Sequence, residues 1–340
     1  MQIGIDSFVE TIVGSGRPPG ELGAQRVREL LEEIELADRV GVDVYGIGEH
    51  HREEYIASSP AVLLAAAAAR TRNIRLTSAV TVLSSDDPVR VFQDFATLDL
   101  ISQGRAEIIV GRGSFIESYP LFGYDTQHYD ELFAEKLDLL LELREQTRVS
   151  WEGKHRASLT GQGVWPRPLQ PRLPIRIGVG GTPQSFARAG ALGLPLTVAI
   201  IGGEPHRFRP MIDLYREAGR RAGHAPEALD VAVHAIGFLA DTSQEAADAL
   251  WPAYSTTFTR IGRERGWPPT TRAAFDAQCG DLGAFFVGDP DRVAQKMRRV
   301  SDVLGGISRI TLMMSGGPLP HPRMLHAIQL MGADVRPSLQ

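Results

Sequence analysis

The strongest constraint in this chain is a hydrophobic period that keeps switching. Short apolar runs, read as strands buried on both sides, alternate with stretches of helical spacing along its whole length, and no composition break or Ser/Gly-rich linker interrupts them. Strands are expected at Ile3 to Phe8, Val42 to Ile47, Ile74 to Leu83, Arg105 to Val110, Ile175 to Val179, Leu194 to Ile201, Leu229 to Leu239 and Ile307 to Met314. Between the first two, Val27, Leu30, Leu31, Ile34 and Val40 recur at helical spacing, and Gly41 stands where such a helix stops. Pro60 and Pro88 open further helices, the first of them rich in alanine behind Ser58 and Ser59. Val149 to Leu159 reads as a small hairpin around Glu152, Gly153 and Lys154. Eight strands alternating with helices predict a (β/α)8 TIM barrel of the α/β class, a single domain over 1–340. The pattern blurs from about 252 to 287, which is expected to be an irregular insertion before the last βα unit.

In such a barrel, chemistry belongs to the loops after the strands, so the strand ends are the places to search. Ile108, Ile109 and Val110 empty into Gly111-Arg112-Gly113-Ser114. Glycines let the backbone approach a ligand closely, and a guanidinium offers a planar fork of donors, so this end suits a phosphate or carboxylate. The fifth strand ends in Gly178-Val179-Gly180-Gly181-Thr182-Pro183-Gln184-Ser185 and turns directly into a helix. Free N–H groups, the positive end of the helix dipole and two hydroxyls converge there, which again favours an anion. The spacing is neither the dinucleotide fingerprint nor a Walker loop, because the lysine is missing.

Glu49-His50-His51 follows the second strand and admits three readings. It could hold a metal, but adjacent histidines on an extended segment point apart and no further His or Cys cluster lies near a strand end. It could be structural, with one histidine hydrogen-bonded and the other solvated. It could perform acid–base work, with His50 oriented by a carboxylate at the barrel mouth.

The charge balance narrows the partners. The 36 basic and 41 acidic residues give a net charge of -5 with no basic run, so neither nucleic acid nor a membrane surface is expected. No apolar run approaches ~18 residues and the first residues read as a strand, which predicts a cytoplasmic protein acting on small molecules. The one cysteine, Cys279, has no partner for an internal disulfide and reads as a packing residue.

The segments GIGEHH, TSAVTVLSSDDPVR, GRAEIIVGRGSF, IGVGGTPQSFARAGALGLP and FVGDPDRVAQKM, in this order, resemble the bacterial-luciferase-like flavin monooxygenase superfamily, and within it the small FMN-dependent luciferase-like branch. The resemblance covers about Met1 to Leu330. It implies a TIM barrel that binds reduced FMN (FMNH2) at the strand ends, with dioxygen and a small organic substrate as reactants and a separate flavin reductase as the source of reduced flavin. It places Arg112, the backbone of Gly181, and the side chains of Thr182 and Ser185 on the flavin phosphate. It makes His50 the catalytic histidine with Glu49 orienting it, and puts a non-prolyl cis peptide at Ala79-Val80 beneath the flavin ring. It also implies a homodimer formed by helices near strands two to four. Two positions depart from luciferase itself, Gly111 where a reactive cysteine stands and Ile200 where a tryptophan stands, so light emission from a long-chain aldehyde is not expected. The same fold serves hydride transfer with the deazaflavin F420, which is the alternative enzymatic reading, and a flavin-binding protein without turnover is the alternative outside catalysis.

Overall fold

The computed structural model describes residues 1–314 and 319–339. In chain order its strands are β1 (Gln2–Ser7), β2 (Val44–Ile47), β3 (Arg75–Ser78), β4 (Thr81–Val82), β5 (Ala106–Gly111), β6 (Arg148–Trp151), β7 (Leu159–Gly163), β8 (Ile175–Val179), β9 (Leu196–Ile200), β10 (Val231–Leu239), β11 (Phe286–Gly288) and β12 (Arg309–Met313). The order β10-β12-β1-β2-β3-β5-β8-β9 is parallel throughout and closes because β9 also pairs with β10, with Val231 beside Leu196 and Ala235 beside Ile200. Among the described residues this is an eight-stranded parallel barrel, a TIM barrel.

The helices are α1 (Pro19–Arg39), α2 (Pro60–Ala68), α3 (Pro88–Ser102), α4 (Ser118–Leu121), α5 (Tyr129–Glu145), α6 (Pro183–Ala191), α7 (Arg209–Arg221), α8 (Ser243–Arg265), α9 (Arg272–Cys279), α10 (Pro290–Val303), α11 (His321–Leu330) and α12 (Arg336–Ser338). Their boundaries follow from local chemistry. Asp87 caps α3 by accepting from the Val89 and Arg90 amides, Thr242 and Glu245 form a reciprocal capping box on α8, and Gly41 adopts φ 83° just beyond α1. Ser59 precedes α2 without a side-chain cap, so the proline at the first turn is the remaining start signal there. No helix among the described residues is long and apolar enough to cross a membrane.

Three local expectations need correction. The third strand is not continuous: it breaks at a cis Ala79–Val80 peptide, and the short β4 resumes beside β5. The hairpin of β6 and β7 has a longer turn than Glu152-Gly153-Lys154, because the Glu135 carboxylate accepts from the amides of Lys154, His155 and Arg156 and holds the loop open. The 252–287 stretch is largely helical and not irregular. α8 runs on through Pro252 to Gly266 (φ 70°), and α9 follows behind a Thr271 cap. Its pattern looked blurred because α8 serves two surfaces. Ala246, Leu250 and Ala253 pack into the core, while Tyr254 stacks on Phe258 (4.4 Å) and meets Phe275 (5.0 Å) in a satellite aromatic cluster.

Candidate functional site

The strand C-terminal ends surround a cavity of about 410 Å³. Glu49, His50, Ala79, Val80, Arg112, Gly181 and Thr182 all line it, and Ser185 joins through a hydrogen bond from Arg112 Nη2 (3.1 Å). Residues picked from four separate strand ends therefore meet in one place.

One end of the cavity is built for an anion. The Arg112 guanidinium is half-buried, lies 4.9 Å from the Tyr129 ring centre, and pairs with the exposed Asp130 carboxylate. The side chain of Thr182, the residue before α6, caps no amide, and space beside Gly180 and Gly181 is open. A guanidinium, two hydroxyls and a helix N-terminus form a donor set that fits a phosphate. Asp130 is the group that such an anion would have to displace.

The floor explains two departures noted in the sequence. A Cβ on Gly111 would lie 2.7 Å from Val80 Cγ2, and one on Gly178 would lie 2.8 Å from Val80 Cγ1. The Val80 isopropyl group therefore occupies the space that a cysteine at 111 would require. Along β9 and the residue after it, Thr197, Ala199 and Ile201 line the cavity, and Ile200 points the other way into the core, as the two-residue period of a strand dictates. Ile200 therefore packs in the core and does not line the cavity.

The Glu49-His50-His51 segment is also arranged differently from expectation. Glu49 does not orient His50: its Oε1 lies 2.8 Å from His51 Nε2 and its Oε2 accepts from the Val82 amide at 2.8 Å. His50 packs instead among rings, 4.4 Å from Phe8, 4.5 Å from Tyr55 and 5.3 Å from Phe115, and its buried Nδ1 has no hydrogen-bond partner. Burial pushes its pKa down to about 3, with smaller contributions from His51 and Arg52 and an opposing one from the Gly48 backbone. The shift favours the uncharged imidazole, which can still donate or accept a hydrogen bond. What the geometry corrects is the expected Glu49–His50 pairing, because both Glu49 oxygens are engaged elsewhere.

Several residues escaped the sequence reading. Thr257, Phe258, Ile261 and Arg265 of α8, with Trp267, cover the mouth. Arg265 donates to the Ser114 carbonyl at 2.6 Å, and Arg52 grips Glu264 through both terminal nitrogens at 2.7 and 2.5 Å. Asp6 and His234 also line the cavity, with Asp6 Oδ2 2.6 Å from His234 Nδ1. Their signal was available: each is a charged or titratable residue inside an otherwise buried strand. Away from the cavity, His128, Glu131 and His155 bring ligand atoms within 4.8 Å of one another, with the Lys154 ammonium already 2.6 Å from Glu131. Cys279 is buried and its thiol is pushed up to about 12, consistent with packing.

The model of the family described as luciferase-like monooxygenase matches residues 6–305. The chain belongs to that family. Among relatives, the 4-hydroxyprotoasukamycin monooxygenase of Streptomyces nodosus subsp. asukaensis is 28% identical over 335 residues, 91% of this chain and 85% of that protein. Two solved structures share the fold of this family member. The oxygenating constituent of 3,6-diketocamphane monooxygenase from the CAM plasmid of Pseudomonas putida, in complex with FMN, superposes with a TM-score of 0.80 at 20% identity, covering 100% of this chain and 99% of that one. An F420-dependent secondary alcohol dehydrogenase in complex with an F420–acetone adduct superposes at 0.77 with 18% identity, over 100% and 99%. Family membership makes this chain an oxidoreductase of the luciferase-like monooxygenase type, and these two neighbours carry different cofactors on one barrel.

Proposed function

We propose that the protein is an FMN-dependent monooxygenase that oxidises a small organic substrate with dioxygen, taking reduced FMN from a separate reductase. The observation that carries this reading is the meeting of Arg112 and Ser185 at the N-terminus of α6, on the rim of an otherwise largely apolar cavity. The charged end would hold the phosphate of FMN, and the Ala79–Val80 floor would take its flat ring. Bound reduced FMN supplies the electrons that, with dioxygen, oxidise the substrate.

The chain's own residues do the rest. Arg112, Ser185, Thr182 and the Gly181 amide anchor the phosphate. Val80, flanked by Gly111 and Gly178, sets the height of the ring floor. His50 offers a neutral nitrogen to whatever lies above that floor, and Glu49 holds the loop through His51 and Val82. α8, latched by Arg52 and Arg265, keeps water out of the reacting space.

Hydride transfer with F420 is the second reading, favoured by the likeness to the F420-dependent dehydrogenase. Fluorescence titration of the purified protein with FMN, reduced FMN and F420, followed by turnover of a substrate panel with a reductase-coupled supply of reduced FMN, tests both. Tight FMN binding with oxygen-dependent product formation supports the monooxygenase. F420 binding with FMN excluded overturns it, and flavin binding without product across the panel leaves a flavin-binding protein.

A further inference from the structure

We propose that Asp6 and His234 form the proton-accepting pair of this site, with His234 Nε2 taking the proton of a hydroxyl group on a neutral, ring-bearing substrate. The inference rests on the enzymatic reading above and goes further by naming the base and the class of group it acts on.

The pair comes from β1 and β10, two strands separated by β12 in the barrel wall, and both residues face the cavity. Asp6 is 1% exposed, and its Oδ2 engages His234 Nδ1 at 2.6 Å. That contact leaves Nε2 as the nitrogen open to a ligand. A carboxylate this deep is costly unless it is paired, so its presence in an apolar strand calls for a partner and a purpose. The barrel makes room for it. A Cβ on Gly46 would lie 2.1 Å from Asp6 Oδ1, so the glycine in the adjacent strand is what admits the carboxylate.

The surroundings decide the kind of ligand. The Phe8 ring lies 6.1 Å from the His234 ring in a stacked arrangement, and Phe258, Ile261 and Trp267 line the same cavity. Few polar groups in an apolar pocket fix the orientation of a ligand, and a hydroxyl on an aromatic or alicyclic ring meets that condition at His234. The step is a proton transfer. The substrate O–H bond breaks with its electron pair retained on oxygen, an N–H bond forms at Nε2, and Asp6 stays ionised and steadies the resulting imidazolium. The proton returns to water when product leaves. His50 does not compete for this role, because the neighbouring Glu49 carboxylate is engaged by His51 and the Val82 amide, and its own buried Nδ1 has no hydrogen-bond partner among the described residues.

The test uses 4-nitrophenol, whose phenolate is coloured, with the full-length protein alone and with bound FMN. In the wild type the bound probe should ionise at least tenfold more readily than free probe at the same pH. His234→Gln and Asp6→Asn should abolish that shift while flavin affinity and melting temperature stay close to wild type, and turnover of a hydroxylated substrate should fall roughly a hundredfold. Probe that does not bind, that binds with unchanged ionisation, or that keeps its shift in both variants overturns the proposal. A protein that ionises the probe through Asp6 and His234 but forms no product with reduced FMN and dioxygen would remove the monooxygenase reading and leave the pair standing.

Discussion

The Glu49 carboxylate is engaged on both oxygens, one 2.8 Å from His51 Nε2 and the other accepting from the Val82 amide at 2.8 Å, so it ties the loop after β2 to the strand that follows the cis peptide. Its neighbour His50 is left to the aromatic rings of Phe8, Tyr55 and Phe115. Two adjacent residues thus do unrelated jobs, one of framework and one of surface.

The anion end gives a paired prediction. Arg112→Ala should weaken FMN binding by roughly 1.5 to 3 kcal/mol, about ten- to hundredfold, and leave riboflavin binding almost unchanged because riboflavin lacks the phosphate. Asp130→Ala should do the reverse and tighten FMN slightly, by less than about 1 kcal/mol, since that carboxylate is exposed and well screened. Equal losses for FMN and riboflavin in Arg112→Ala would remove the phosphate role.

Gly111→Ala should destabilise the protein by about 1 to 3 kcal/mol, because the added Cβ overpacks against Val80. Urea denaturation measures the change. The same variant should also bind FMN less well, as Val80 is pushed toward the ring site; an unaltered melting curve and affinity would show that the floor is not tightly fitted.

His50 predicts a pH dependence. The unfolded chain exposes an ordinary imidazole with pKa 6.5, whereas the native ring is held near 3, so the unfolded state binds a proton that the native state refuses. The stability this represents is fully present above pH 6.5 and is lost as pH falls toward 3, amounting to roughly 2 to 3 kcal/mol at pH 4.5. Urea midpoints for wild type at pH 8 and pH 4.5 should differ by more than those for His50→Gln. Identical pH losses in the two proteins would count against a buried neutral histidine.

Across the barrel interior, Arg309 grips Glu107 at 2.6 and 3.2 Å, with both residues buried. Glu107→Gln leaves the guanidinium without its counter-charge and should cost about 3 to 5 kcal/mol, read as a lower urea midpoint. Adding Arg309→Met should recover part of that loss. A double variant no better than the single one would show that the charge is compensated elsewhere.

Assembly is a separate expectation. Val62 is 69% exposed and Ala66, one turn further along α2, is also exposed, giving a small-residue face suited to close helix packing. Light scattering should report a dimer at micromolar concentration, and Ala66→Glu should yield monomer with unchanged flavin affinity. A wild-type monomer would retire the expectation.

Much of this molecule was legible in its residues. The switching period between buried strands and amphipathic helices determined the barrel, because each element's burial is written in its own local spacing. Glycine at the ends of β5 and β8, with Arg112 and the start of α6 beside them, marked the anion end for the same reason: backbone freedom and helix-terminal donors are properties of a few consecutive residues. What the sequence could not decide were choices between partners. Glu49 had two histidines within reach, and only the path of the loop gave it to His51. Asp6 and His234 stand 228 residues apart and meet because closure of the barrel sets β1 and β10 on either side of β12. α8 hid its role as a cover because one helix packing on two fronts carries no single hydrophobic stripe. Local periodicity fixes elements, but pairing and enclosure depend on where the barrel brings distant backbone together, and that is a property of the closed sheet.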